Sequence, residues 1–178
     1  MSNRAAWRLE SLGFLQVYRY AAGKRDWFAF GLLMEGAFAA IPKALDVVRR
    51  EVPTCHLQDP VGEVYRRCQD AGWHVCLVVN EANIVLGRVR REAWQADPDT
   101  PVGQIMENGP STFRPDAFLE TLTRRMQEKK VGSVIITDSN GVLIGILYRK
   151  DAEAVLNREQ TAKERVTHTG SEKTYSDS

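Results

Sequence analysis

The residues best suited to chemistry are basic, and they stand in two groups. Arg88, Arg90 and Arg91 fall near one predicted strand end, and Arg149-Lys150 form a second basic pair that runs into Asp151. Such groups favour phosphate when the fold turns them toward one cleft. Their commoner role is a solvated face or a set of intersubunit ion pairs. Asp151 at a helix start also suits simple capping. Thiol and metal chemistry find less footing. Cys55, Cys68 and Cys76 are odd in number and lack C-x-x-C spacing, so they neither staple a secreted fold nor make a zinc knuckle. Buried thiols acting as small hydrophobes are the expectation. His56 beside Cys55, and His74 two residues before Cys76, lack the spacing of a zinc set. No residue is assigned a catalytic or metal-binding role.

Composition narrows the partners. The chain has 178 residues and a net charge of +1, room for a real core but too little positive charge for a strongly basic nucleic-acid binder. No stretch approaches about 20 uninterrupted apolar residues; the nearest, Trp27 to Ile41, carries Glu35. The first residues lack the pattern of a signal peptide. These features predict a cytoplasmic protein with neither a nucleic-acid nor a membrane partner.

The elements that must position the basic groups occur twice. Residues 53–93 and 110–152 read as two copies of one unit, and Gly87 and Gly145 stand 58 positions apart. Each copy opens on a short extended piece, Thr54-Cys-His56 or Ser111-Thr-Phe113. Val61, Val64, Tyr65 and Cys68 then make one helical face, as do Phe118, Leu119, Leu122 and Met126. Pro60 suits a first helical turn and Asp116 an N-cap. The apolar runs Val75–Val79 and Val134–Ile136 suit buried strands. Asp138-Ser-Asn-Gly141 predicts a hairpin with a type I′ turn, and Asn80-Glu-Ala-Asn83 is a looser version of it. Strands over 84–89 and 142–147 complete the pairs. A unit of this size cannot bury its own apolar face; two copies packed together can, and the cleft between them is a natural ligand site.

Outside the copies the pattern changes. Residues 4–12 have helical spacing that ends at Gly13, Phe14–Tyr18 alternates like a strand, and Asp26 is placed to cap a short apolar helix from Trp27. Trp27, Phe28 and Phe30 suit core or dimer contact. Pro42 ends or redirects the chain, and residues 43–50 read as a further short helix. From 157 to 178 the sequence is polar, which predicts a disordered tail. The expected fold class is α+β: two pseudo-symmetric β-α-β-β-α units packed together, preceded by a small α/β N-terminal segment. The expected domains are residues 1–50, a first repeat 51–100, a second repeat 101–156 and the tail.

This order, with Gly145-Ile-Leu-Tyr-Arg-Lys-Asp151 closing the second copy, resembles a tandem pair of CBS domains over roughly residues 52–156. The lead-in Val102-Gly-Gln-Ile-Met106 and the closing stretch from Asp151 to Leu156 support the likeness. The resemblance implies an adenine nucleotide or S-adenosylmethionine in the cleft, no required cofactor, and a homodimer formed through helices, with an unidentified protein partner as a further expectation. The family motif is Gly-h-h-(Ser/Thr)-x-x-Asp, with h apolar. The Asp takes the ribose hydroxyls, the hydroxyl residue helps hold phosphate, and the Gly lets backbone come close. The second copy keeps Gly145, Ile146 and Asp151 but has Tyr148 at the hydroxyl position; the first keeps Gly87 but has Arg90 there and Ala93 in place of the Asp. The resemblance thus implies one ligand site, at Asp151, Gly145, Ile146, Tyr148 and Arg149, with Ser111, Thr112, Ser133 and Arg90 beside it. An ionised Asp accepting from two adjacent hydroxyls makes charge-assisted bonds of about 1.5–3 kcal/mol each. Tyr148 either stacks on a base or plugs the site.

Residues 4–36, with Ala5-Ala-Trp-Arg-Leu-Glu-Ser-Leu-Gly-Phe14 and Gly23-Lys-Arg-Asp-Trp27, also resemble the closing part of a rhodanese domain. No cysteine stands in the loop before that first helix, so the likeness implies a structural remnant. Three functions are therefore expected in order: a regulatory module sensing an adenosyl ligand, a ligand-free dimerisation scaffold, and a sulfurtransferase, which needs a thiolate. Neither of the first two is an enzyme.

Overall fold

The computed structural model describes residues 8–18, 23–30, 32 and 35–171. Two mixed sheets with their helices carry the α+β fold. In the first repeat, β1 (Thr54–Cys55) runs parallel to β2 (Val75–Val79), β2 pairs antiparallel with β3 (Val85–Arg90), and β3 pairs antiparallel with β4 (Glu107–Asn108). The second repeat has the first two of these pairings, in a three-stranded sheet of β5 (Thr112–Phe113), β6 (Ser133–Thr137) and β7 (Leu143–Tyr148). Helix α2 (Val61–Asp70) covers the first sheet, and α4 (Leu119–Glu128) the second. Their buried faces, Val61-Val64-Cys68 and Leu119-Leu122-Thr123-Met126, keep the spacing read from the sequence, but Tyr65 and Phe118, expected on them, are exposed.

Neither helix has a side-chain N-cap, so their first N–H groups need other acceptors. Each takes them from the segment that leads into the other repeat. Val61 N–H donates to Thr100 O (3.0 Å) and Leu119 N–H to Pro42 O (2.9 Å). The same segments lend Val102 to the first core and Ala44 to the second, both fully buried. They also extend the sheets: β4 lies on β3, and Arg49 bridges Ile146. We call residues 42–50 and 100–109 straps. The first carries only a short 3-10 turn, Ala44–Asp46, rather than the helix expected over 43–50, because its backbone turns outward to cap α4 and pair with β7. Each strap thus completes the repeat it does not introduce. The second strap holds the short helix α3 (Val102–Ile105).

Gly145 makes room for the first strap. A Cβ there would collide with the Arg49 carbonyl oxygen, and one at Gly87 with the Met106 sulfur. The hairpin turn differs from expectation. Gly141 has φ +84, but Asn140 is not among the residues with positive φ, so the turn is not type I′. The Asp138 carboxylate instead accepts from Asn140 N–H (2.8 Å) and Val142 N–H (2.9 Å), and the ladder slips between Ile136 and Thr137. Asn83, with φ +58, takes the place of Gly141 in the first repeat, as Asn tolerates the left-handed region. The hairpin tips pair across the repeats, Val85 N–H to Gly141 O (3.1 Å) and Leu143 N–H to Asn83 O (2.9 Å). Leu77, Ile135 and Ile146 form a shared buried cluster between the sheets.

Three further expectations need correction. Asp116 precedes α4 rather than capping it, and Phe118, at the N-cap position, is 42% exposed. The helix expected from Trp27 starts earlier, as α1 (Gly23–Ala29), and includes Asp26. The closing helix α5 (Arg149–Ser171) runs well past Leu156 into the expected tail, since Ala, Glu, Gln, Lys and Arg favour helix without needing a core. Residues 172–178 lie outside the described residues.

In the N-terminal segment, residues 8–11 are helical and Gly13 has φ +92, as a C-cap requires. Phe14–Tyr18 forms no strand, and Leu15 is 98% exposed. The rhodanese likeness thus gains no support from the described residues.

Candidate ligand cleft

The tips of the hairpins meet, and a hollow of about 600 Å³ lies between the repeats toward the other ends of the strands, within the size range of small-molecule sites. Equivalent positions of the two copies line it. Leu77, Ile135 and Ile146 supply an apolar floor and Tyr148 a half-buried wall, while His74, Arg88, Arg90, Arg91, Lys130 and Ser133 bring polar groups and Glu92 the single acid of the lining.

Charge is unevenly engaged around this hollow. Arg88 grips Glu107 through two bonds of 2.7 Å, and Arg90 stands 3.5 Å from the same carboxylate. Glu107 is held below the usual carboxylate range, first by the Arg88 hydrogen bond and then by the charges of both arginines. Arg91 and Lys130 have no ion-pair partner among the described residues. Lys130 sits at the end of α4 with φ +54, where the first repeat has Gly72 at φ +70. In both repeats the helix closes with the same bond pair, Lys130 N–H to Gln127 O and Val131 N–H to Met126 O, matched by Gly72 N–H to Gln69 O and Trp73 N–H to Cys68 O.

The predicted site residues divide. Ile146, Tyr148, Ser133 and Arg90 line the hollow. Asp151 does not: in the first turn of α5, it accepts from Arg49 Nε (2.7 Å) and Nη2 (3.0 Å). The Arg49 guanidinium also lies 5.0 Å from the Tyr148 ring centroid, with Trp73 6.2 Å from that ring and Lys150 5.9 Å away. Gly145 packs on the strap backbone. Arg149 turns to Glu153 (3.6 Å). Ser111 and Thr112 are exposed and absent from the lining. Sequence reasoning passed over Arg49 and Lys130. The strap's destination carries no local signal, whereas Lys130 was traceable as the repeat partner of Gly72.

The three cysteines are free thiols. All three are buried, and hydrogen bonding to Cys55 and Cys68, with burial, pushes the Cys76 thiol up. No group of three or more His, Cys, Asp or Glu among the described residues is placed to hold a metal ion.

The CBS domain matches twice, over residues 44–93 and 102–157. This is more than half of the chain, which therefore belongs to the CBS domain family. The two matches begin at Ala44 and Val102, the equivalent buried residues of the straps. No curated protein matches the chain. Among solved structures, the cytosolic domain of the Mg2+ channel MgtE in complex with ATP aligns with a TM-score of 0.59 and 25% identity, over 67% of this chain and 51% of that one; the chain spans about half its length. CBSX2 in complex with AMP aligns at 0.59 and 19% identity, over 66% of this chain and 98% of that one. The CBS domain pair of protein MJ0100, in complex with 5-methylthioadenosine and S-adenosyl-L-methionine, aligns at 0.57 and 16%, over 67% and 98%. No helix among the described residues is long and apolar enough to cross a membrane.

Proposed function

We propose that the chain is a regulatory, non-catalytic module that binds an adenine nucleotide or adenosyl ligand between its repeats and passes occupancy to a protein partner in the cytoplasm. One observation carries this reading: the hollow joins an apolar floor and an aromatic wall to the unpaired cations Arg91 and Lys130. An adenine ring suits the first pair of surfaces and phosphate the second. The same charge disfavours a sulfonium cation, so AMP, ADP and ATP rank above S-adenosylmethionine. The ribose hydroxyls go to Asp151, beyond Tyr148. Similar folds solved with AMP, ATP and S-adenosyl-L-methionine support the ligand class.

The test is thermal denaturation with each of the four compounds at millimolar concentration. Ligand at 1,000 times its dissociation constant adds about 4 kcal/mol of stability. The phosphorylated nucleotides are expected to raise the melting temperature, and Asp151→Ala to abolish or sharply reduce that rise. A folded protein indifferent to all four sinks the reading.

A second reading has its own support. Asp151 is already bonded to Arg49, and Ala93 stands at its first-repeat equivalent, as suits a ligand-free scaffold. That scaffold would be a homodimer by sedimentation, unresponsive to nucleotide and to Asp151→Ala.

A further inference from the structure

We propose that Arg49 is a latch: it competes with the ligand for Asp151 and thereby sets the affinity of the second-repeat site. The inference rests on the nucleotide reading above and assigns the regulation of that site.

The latch is delivered by backbone. Arg49 N–H donates to Ile146 O (2.9 Å) and Ile146 N–H to Arg49 O (3.0 Å), and the missing side chain at Gly145 lets these strands approach. From that anchor the guanidinium reaches both oxygens of Asp151 in a fork. Two adjacent hydroxyls make the same demand, one donor for each oxygen, on the same face of the carboxylate. Guanidinium and diol are therefore alternatives.

The arm is free to move. The Arg49 side chain is 48% exposed and the Asp151 side chain 25%, so swinging the guanidinium outward opens water rather than core. The anchoring backbone bonds stay in place. Because the guanidinium also covers the Tyr148 ring, its departure uncovers a stacking surface and a carboxylate together. Tyr148 lines the hollow, so release would extend the hollow toward Asp151. The first repeat has no counterpart: the residue equivalent to Arg49 is Glu107, bonded to Arg88, and the residue equivalent to Asp151 is Ala93.

Isothermal titration with ATP tests this on the wild type, Arg49→Gln, Arg49→Lys, Asp151→Asn and the Arg49→Gln/Asp151→Asn double variant. Arg49→Gln is expected to bind about fivefold tighter, the scale of a partly exposed ion pair. Arg49→Lys keeps the charge but loses the fork, and should fall between. Asp151→Asn should weaken ATP binding more in the Gln background than in wild type, since there the acid faces ligand alone. If Arg49→Gln does not fold, Arg49→Lys against wild type decides. Equal or weaker binding by the variant, beside measurable wild-type binding, overturns the latch and leaves the nucleotide reading intact. No binding by any of the folded proteins overturns both.

Discussion

Lys130 holds a left-handed backbone conformation at φ +54, which its repeat partner Gly72 adopts at no steric cost. A side chain in that region costs about 1–2 kcal/mol. Residues held this way cluster at functional sites, and Lys130 borders the hollow. Lys130→Gly is expected to stabilise the protein by about 1 kcal/mol in urea denaturation while weakening nucleotide binding in calorimetry. A glycine variant that is no more stable and binds as well would show the lysine to be incidental. Glu107 gives a second residue-level expectation, through pH. Its folded value is depressed by Arg88 and Arg90, so its contribution to stability is present above the ordinary carboxylate range, about 4.3. It is lost as pH falls through the folded value. The stability gap between wild type and Glu107→Gln should hold from neutrality to about pH 5 and close in stronger acid, as followed by urea midpoints across that range.

At the scale of elements, the straps decide what each helix and sheet can do. Gly145→Ala places a methyl group against the Arg49 carbonyl, where the neighbour is backbone and cannot rotate away. A loss of about 1–3 kcal/mol is expected, together with faster hydrogen exchange at the amides of Arg49 and Ile146. Unchanged exchange there would show that the strap tolerates displacement. The elements legible in the sequence were those whose signal is local. The helical faces of α2 and α4, the apolar strands and the repeat offset all appear as periodic patterns. The type I′ expectation at Asn140-Gly141 failed because the Asp138 side chain bonds the turn from its first position. The helix expected over 43–50 failed because Ala44, Val47 and Val48 have helical spacing yet pack on the other repeat's core.

For the molecule as a whole, two packed repeats and a cleft followed from the duplication, whereas the contents of the cleft did not. Asp151 was named from the motif, but its partner Arg49 lies 102 residues away. No spacing rule connects a strap to a carboxylate that meets it only after the repeats assemble. The chemistry of the hollow was half visible: its arginines stand together in the sequence, while Lys130 joins them only through the pseudo-symmetry of the repeats.

The exchange of straps also orders events during synthesis. When residue 93 has left the ribosome, the first repeat has its sheet strands β1 to β3 and its helix, yet the carbonyl that receives Val61 N–H and the side chain of Val102 have still to be made. The earlier strap, by contrast, is finished before β1 and must wait for α4. Neither half closes on its own residues alone: the first waits for the strap at 100–109, and the second closes later on a strap made long before it.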